Sequence, residues 1–330
     1  GRRGKGGWRN LNLMGTGSAL PRLVIDNHML TEFLDTSDEW ISSRTGIRER
    51  RVLSDDTLRQ IACQASARAL DSAGVAAADL DMILCSTVQG EATTPALACM
   101  VQADIGANCP AMDVNGACTG FLYALEVAEG LLATGRYRRI LIVCAERMTR
   151  LCDWRDRSTC VLFGDGAGAV VAEPGDSLLS MRLVTAGDDG PLNAYPHPGN
   201  SPYARSAAYR PLYMAGQEIY RFAVGAAAGD LRAAAEAAGV LIDDIGHFVL
   251  HQANLRIVEA VRGRLGMPEE KFPHNIERTG NTSSASIPIL LDELNRGGAL
   301  KQGELIAMAA FGAGLTSGAC VLRWTQKTKT

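Results

Sequence analysis

Apolar residues recur at helical spacing over two alanine-rich stretches, roughly 56–74 and 214–239, and predict two helices. Each stretch ends in Ala-Gly-Val (Ala73-Gly74-Val75 and Ala238-Gly239-Val240) and passes an acidic turn at Asp79-Leu80 or Asp244-Ile245. Each then enters a short apolar run, Met82 to Cys85 or Phe248 to Leu250, with the character of a buried parallel strand. The two copies lie 165 residues apart, half the chain. The echo continues through strand-like segments, Ala111 to Val114 and near Asn275 and Ile276, which lead by small polar turns into further helices over about 118–133 and 282–295. Those two helices are apolar almost all round (Phe121, Leu122, Leu125 and Leu132; Ile287, Ile289, Leu290 and Leu291), the mark of core helices covered on both sides. Pro288 either sits in the first turn of its helix or bends it. Each half closes with two β-rich runs: Ile140 to Ala145 and Ala167 to Ala172, then Leu305 to Ala310 and Gly318 to Leu322.

The pattern therefore predicts an α/β protein made of a duplicated βαβαβ unit, with helices between two sheets. A basic extension (1–10) precedes an N-terminal half (11–175) and a C-terminal half (176–330). Duplication favours no chemistry by itself, but a pseudo-twofold axis would bring the N-termini of the two core helices to a common centre. The stretch Asp188 to Pro211 has no period and is expected to be a loop folded over the site or against a partner subunit.

Charge and composition narrow the function classes. With 33 basic and 36 acidic residues the net charge is −3, so the fold has no overall basic field for nucleic acid. An anionic partner must meet a local arginine cluster. No run approaches 18 apolar residues, so no membrane span is expected. The nine cysteines are odd in number and contain no C-x-x-C pair, which argues against a metal site and a disulfide framework. Most read as small buried hydrophobes in a reducing cytoplasm.

Three residues stand out. Cys118, in Asn115-Gly116-Ala117-Cys118-Thr119-Gly120, falls where a strand turns into the first core helix. Unpaired N–H groups and the positive helix end there would favour a thiolate; the position suits either a nucleophile or a buried structural thiol. His251 ends an apolar strand and is either a packing residue or a site histidine. Asn281, in Gly280-Asn281-Thr282-Ser283, is ordinary turn-and-cap chemistry when read alone. Under the repeat, however, Asn281 maps to Gly116, two residues from Cys118, so thiol and carboxamide occupy equivalent corners. The glycine-rich stretches Gly15-Thr16-Gly17 and Gly164-Asp165-Gly166-Ala167-Gly168 fit no nucleotide fingerprint, since neither opens a helix after a strand. Tight strand turns are expected at both. No G-x-S-x-G elbow is present.

At these residues the chain resembles the β-ketoacyl-acyl-carrier-protein synthase III family of the thiolase superfamily. The resemblance runs from about Gly15 to Arg323. It includes Asp35-Thr36-Ser37-Asp38-Glu39-Trp40-Ile41, Arg44-Thr45-Gly46-Ile47-Arg48, Ala117-Cys118-Thr119-Gly120-Phe121, Phe163-Gly164-Asp165-Gly166, His251-Gln252-Ala253-Asn254-Leu255-Arg256, Gly280-Asn281-Thr282-Ser283 and Phe311-Gly312-Ala313-Gly314. It implies a thiolase-like five-layered αβαβα fold and a homodimer. It also implies decarboxylative condensation of an acyl-CoA primer with malonyl-acyl carrier protein, with no metal or nucleotide cofactor. By the same resemblance Cys118 carries the acyl group, and His251 and Asn281 complete the triad. The N–H groups of Cys118 and Ala313 form an oxyanion hole; the family often has glycine at position 313. Trp40 and Arg157 sandwich the CoA adenine with Arg44 nearby, and Asn254 lies near the pantetheine. Gln252, Ala253, Asn254, Leu255 and Arg256 face the carrier protein, with Arg262 and Arg264 adding to a basic face. Thr94 falls at the acyl pocket, reached across the dimer, where a small residue would admit primers longer than acetyl. Two other readings remain open at this level: a starter-unit or acyl-transfer enzyme of a secondary pathway, and a non-catalytic binding partner.

Overall fold

The computed structural model describes residues 11–196 and 209–326; the basic extension 1–10 lies outside them. The first half contributes β1 (Asn12–Ala19), β2 (Leu23–Asp26), α1 (Asn27–Leu30), α2 (Asp38–Thr45), β3 (Glu49–Val52), α3 (Leu58–Ala73), β4 (Met82–Ser86), α4 (Leu97–Asp104), β5 (Ala111–Val114), α5 (Gly120–Ala133), β6 (Ile140–Arg147) and β7 (Asp165–Glu173). The second contributes β8 (Leu178–Asp188), β9 (Leu192–Tyr195), β10 (Arg210–Met214), α6 (Gly216–Ala238), β11 (His247–Leu250), α7 (Leu255–Leu265), α8 (Ile276–Thr279), α9 (Ser286–Arg296), β12 (Leu305–Gly312) and β13 (Gly314–Arg323).

The duplication is visible in strand pairing. One sheet has the order β1-β7-β6-β4-β5 and the other β11-β12-β13-β8. In each, a parallel pair (β4 with β6, β11 with β12) continues into an antiparallel pair (β6 with β7, β12 with β13). The expected strand near Asn275 and Ile276 is not formed. The chain makes the single-turn helix α8 there instead, ended by Gly280 at φ 63°. The repeated Ala-Gly-Val is a helix stop: Gly74 and Gly239 take left-handed φ of 67° and 69°. The N–H groups of Val75 and Val240 then return to the carbonyls of Leu70 and Ala235.

Strand alternation sets the layers. On β6, Ile140, Ile142 and Cys144 face the core shared with α5 and α9, while Leu141, Val143 and Ala145 face α3 and α4. On β12, Ile306, Met308 and Ala310 face α5 and α9, while Ala307, Ala309 and Phe311 face α6 and α7. Five layers result, with α5 and α9 in the middle. Their burial is less uniform than the sequence suggests. Tyr123, Glu126 and Glu129 of α5 are part-exposed, and α9 is buried only from Ser286 to Asp292, with Pro288 in its first turn. The N-terminal ends of both helices are the deep ones.

The two glycine-rich stretches are not turns. Gly15 and Gly17 lie inside β1, and Gly166 and Gly168 inside β7. A Cβ on Gly17 would collide with the Ala65 carbonyl oxygen, and one on Gly168 would sit 2.7 Å from the Ile289 nitrogen. These glycines let α3 and α9 lie directly on the sheet. Part of the segment expected to be a loop, Asp188 to Pro211, instead forms strands: β9 and β10 pair antiparallel, and Leu192 on β9 and Met214 on β10 reach the cavity described next. Positions 197–208 lie outside the described residues.

Candidate active site

Cys118, His251 and Asn281 line one cavity of about 520 Å³, together with Leu162, Phe163, Phe311 and Gly312. The backbone explains the convergence. Cys118 sits in a 3₁₀ turn, Ala117–Thr119, that runs directly into α5. A matching 3₁₀ turn, Ser283–Ala285, runs into α9. Ala117 and Ser283 both take left-handed φ, 48° and 52°, a conformation costly for non-glycine residues. In each turn an asparagine two residues earlier accepts the strained residue's N–H: Asn115 Oδ1 from Ala117 (3.1 Å) and Asn281 Oδ1 from Ser283 (2.8 Å). The structural equivalence is thus one residue off the sequence repeat. Asn281 matches Asn115 rather than Gly116, and Cys118 matches Ser284.

The two halves are joined at this point. Asn281 N–H donates to the Leu162 carbonyl (2.8 Å), and Gly164 N–H donates to the Asn281 carbonyl (3.0 Å). With Oδ1 occupied by Ser283, the Asn281 carboxamide has its N–H₂ left for the cavity. His251 follows β11, its N–H bonded to the Ala309 carbonyl (2.8 Å) and its ring tilted against Phe311 at 5.2 Å. Gln252 N–H donates to Ser286 Oγ (3.3 Å), leaving the Ser286 hydroxyl free to donate to His251 Nδ1 at 2.7 Å. With Ser286 as the donor, the imidazole hydrogen lies on Nε2. Burial drives the His251 pKa down to about 3, so the ring is neutral at physiological pH. The site therefore offers two uncharged N–H donors.

The thiol differs from the sequence expectation. Burial pushes Cys118 up to about 12, with Glu146 nearby opposing ionisation further. A helix end supplies only about 0.3–1 kcal/mol, too little to offset desolvation of a residue 8% exposed. In the resting protein Cys118 is a thiol. Gly312 lies against it: a Cβ there would come within 2.9 Å of the Cys118 nitrogen, so Ala313 follows immediately beside the cysteine. The described residues with positive φ in this turn are Gly314 and Leu315, and Ala313 is not one of them. The alanine is accommodated without backbone strain.

The outer residues fall into two groups. Arg44 and Arg157 both lie over the Trp40 ring, at 4.7 and 5.1 Å. Arg157 also donates to the Asp35 carbonyl. The expected sandwich therefore requires Arg157 to lift from Trp40 to admit a base. Arg44, Ala253, Asn254 and Arg256 line the cavity mouth. Asn254 caps α7 through the Arg256 N–H (2.9 Å) and holds the Arg44 carbonyl (3.1 Å). Gln252 is 0% exposed and bonded to Leu250 and Asn275. It cannot touch a carrier protein and instead braces the His251 turn. Leu255 packs against Gly46 at the end of α2. Thr94 is exposed in the loop before α4 and does not line the Cys118 cavity within one chain.

Sequence reasoning missed Ser286, which sets the histidine tautomer, and Glu146, which lies behind the cysteine. The signal for Ser286 was a third serine at the start of a helix otherwise apolar on its buried face. For Glu146 it was a lone acid continuing the apolar strand Ile140 to Ala145. Among the described residues, no group of three or more His, Cys, Asp or Glu is placed to hold a metal ion, and no helix is long and apolar enough to cross a membrane.

Comparison with known proteins bears on the family of the chain. Residues 112–187 match the family model for 3-oxoacyl-[acyl-carrier-protein (ACP)] synthase III, and residues 235–324 match the model for the C-terminal part of the same enzyme. The β-ketoacyl-[acyl-carrier-protein] synthase III of Clostridium acetobutylicum is 40% identical over 324 residues, covering 96% of this chain and 99% of the relative. That of Oceanobacillus iheyensis is 43% identical over 320 residues, covering 96% and 99%. The crystal structure of the 3-oxoacyl-[acyl-carrier-protein] synthase III of Aquifex aeolicus superposes with a TM-score of 0.89 at 40% identity, covering 95% of this chain and all of that one. Duplicated layers, a cavity shared by cysteine, histidine and asparagine, and likeness over nearly the whole length lead to one conclusion: the chain belongs to the β-ketoacyl-acyl-carrier-protein synthase III family of acyltransferase condensing enzymes, with the thiolase-like fold.

Proposed function

We propose that the cavity joins an acyl-CoA primer to malonyl-acyl carrier protein, with Cys118 as nucleophile and His251 and Asn281 as the donors that stabilise the enolate. The observation that carries this reading is that three residues from distant parts of the chain line a single cavity. In the first step the Cys118 sulfur forms a bond to the acyl carbonyl and CoA leaves as the thiol. One thioester replaces another, at little net cost. In the second, malonyl-carrier protein occupies the cavity and its C–CO₂ bond breaks. The electron pair moves onto the α-carbon and thioester oxygen, where the His251 Nε2–H and the Asn281 N–H₂ receive it. A neutral imidazole suits this task, because it donates a hydrogen bond without surrendering a proton to the enolate. Each donor is worth about 3 kcal/mol in transition-state stabilisation. The α-carbon then attacks acyl-Cys118, the N–H groups of Cys118 and Ala313 receive the tetrahedral oxygen, and the cysteine leaves. The products are 3-oxoacyl-carrier protein and CO₂, with CoA already released.

Arg44, which lines the cavity, and Trp40 and Arg157 beside it suit a flat base beside phosphates. Arg256, exposed at the start of α7, suits an acidic carrier protein. The chemistry we assign uses no cofactor. We place the enzyme in the cytoplasm as a homodimer, with Thr94 facing the partner's acyl pocket. The test is incubation with labelled acetyl-CoA and malonyl-carrier protein, followed by mass analysis of the carrier. The expected product carries the acetyl label in a 3-oxobutanoyl group; transfer of the acetyl label to the carrier with no CO₂ lost would overturn the reading.

A further inference from the structure

Two buried threonines take no part in the steps above, although each adjoins one of the N–H groups assigned to the tetrahedral oxygen. Thr119 follows Cys118, and Thr316 lies three residues past Ala313. Thr119 stands at the N-cap of α5, where a threonine hydroxyl ordinarily accepts an N–H of the first turn. Its backbone is already helical there, and its side chain caps nothing. Instead the Thr119 hydroxyl meets that of Thr316 at 2.9 Å, across 197 residues of chain. Thr316 Oγ1 in turn donates to the Ala313 carbonyl at 3.1 Å. With the Thr316 proton on that carbonyl, Thr119 is the donor in the first bond.

The loop needs such a hook. Between β12 and β13 the chain turns through Gly314 at φ 79° and Leu315 at φ 43°, the second a left-handed conformation that leucine adopts only under constraint. The bond from Thr316 to Ala313 closes that turn, and the bond from Thr119 to Thr316 ties it to the cysteine turn. On the other side of Ala313, Gly312 packs directly on Cys118. Ala313 is thus held to the cysteine from before and behind. Among the described residues, neither the Cys118 N–H nor the Ala313 N–H has a hydrogen-bond partner, which leaves both for an incoming oxygen.

We propose that Thr119 and Thr316 are positioning residues: their hydroxyl pair locks the Ala313 loop to the Cys118 turn and so fixes the separation of the two N–H groups that receive the tetrahedral oxygen. The inference rests on the functional reading above. Donors held in place cost no reorganisation when charge develops, whereas a loop free to swing must first be ordered. The clamp therefore acts when charge sits on that oxygen, once as Cys118 is loaded from acyl-CoA and again as the acyl group leaves it in condensation. Decarboxylation places its charge elsewhere, against His251 and Asn281, and does not draw on the pair.

The test compares wild type with Thr119→Val, Thr316→Val and the double variant, valine keeping the shape of threonine without its hydroxyl. Loading of Cys118 is followed in a single turnover by intact mass, and CO₂ release from malonyl-carrier protein is followed separately. Acetyl-CoA is one acyl donor; p-nitrophenyl acetate, which needs no CoA groove, is the other. Each valine variant should load about tenfold more slowly at saturating donor, a fraction of the roughly 10²–10³ lost when an oxyanion donor is removed outright. CO₂ release should stay within about twofold of wild type. The double variant should be no slower than the slower single one, since either substitution breaks the same bridge. Serine at either position keeps the hydroxyl and should hold loading within about threefold of wild type. Wild-type loading rates in both valine variants would overturn the proposal. So would equal losses in loading and CO₂ release, the mark of a purely structural role, or losses that multiply in the double variant. Should one valine variant fail to fold, the other decides by the same two rates. Loading of wild type by the ester but not by acetyl-CoA would instead sink the functional reading, while ester loading, which passes through the same tetrahedral oxygen, still judges the threonines.

Discussion

The turns that carry Cys118 and Asn281 are one piece of backbone used twice, and their comparison explains how a duplicated fold becomes an asymmetric site. Both begin with an asparagine that accepts an N–H two residues on, both force a non-glycine residue to positive φ, and both feed a middle-layer helix. They differ in what faces the cavity. The first turn presents the thiol three residues after its asparagine, whereas the second presents the asparagine itself and turns the thiol's counterpart, Ser284, toward Glu146. Duplication supplies two preorganised corners, and in the function we propose side-chain choice divides the labour between acyl transfer and enolate stabilisation.

That division can be broken from either side. The largest expected effect is Cys118→Ala: condensation should fall by a factor on the order of 10⁴ or more. Release of CO₂ from malonyl-carrier protein should survive, because the second corner is intact. Parallel loss of both activities would show that the corners are not separable. Next come Asn281→Ala and His251→Ala, each expected to cost about 10²–10³ in decarboxylation while still allowing the acyl adduct to form. An adduct lost in either variant would move that residue to the thiol's corner.

A smaller effect is expected from Ser286→Ala. Losing the donor to His251 Nδ1 releases the tautomer, and kcat should drop about tenfold with little change in KM. A KM effect alone would mean that Ser286 shapes the cavity rather than the imidazole.

The smallest effect is on stability. Burial raises the Glu146 pKa from 4.5 unfolded to about 7 folded, so its neutral form favours the fold at low pH and that contribution is lost as pH rises through about 7. His251 has the opposite sign: its pKa drops from 6.5 to about 3, and its contribution is lost as pH falls from about 6.5 toward about 3. The two oppose each other between about 4.5 and 6.5. Glu146→Gln removes the first and unmasks the second. Its melting temperature relative to wild type should climb as pH rises from about 4.5 to about 7, then level. A difference that stays flat with pH would mean that Glu146 does not titrate in that window.

Much of this was legible in the sequence, for identifiable reasons. The layers follow from strands that bury both faces and from helices apolar at their N-terminal ends. The repeat led to Cys118 and Asn281 because the helix starts are duplicated with them. What escaped detection depends on packing. Gln252 sits in a motif that looks like surface, yet it is sealed inside by bonds to Leu250 and Asn275. Nothing local distinguishes it from Arg256, which is exposed four residues on. The segment near Asn275 carries strand-like residues but coils into α8, because the second sheet, unlike the first, ends without a fifth strand among the described residues. The one-residue offset between the turns is invisible to a repeat counted on helix ends. The protonated thiol could not be inferred from a helix N-terminus, since its desolvation is set by neighbours far away in sequence, Gly312 among them.

The most direct test of the central claim is to map the acyl group after mixing wild-type protein with acetyl-CoA alone. Peptide mass analysis across the nine cysteines should find a single acetyl adduct, on the peptide bearing Cys118, and malonyl-carrier protein should then remove it with release of CO₂. An adduct on another cysteine, or one that malonyl-carrier protein cannot discharge, would contradict the account.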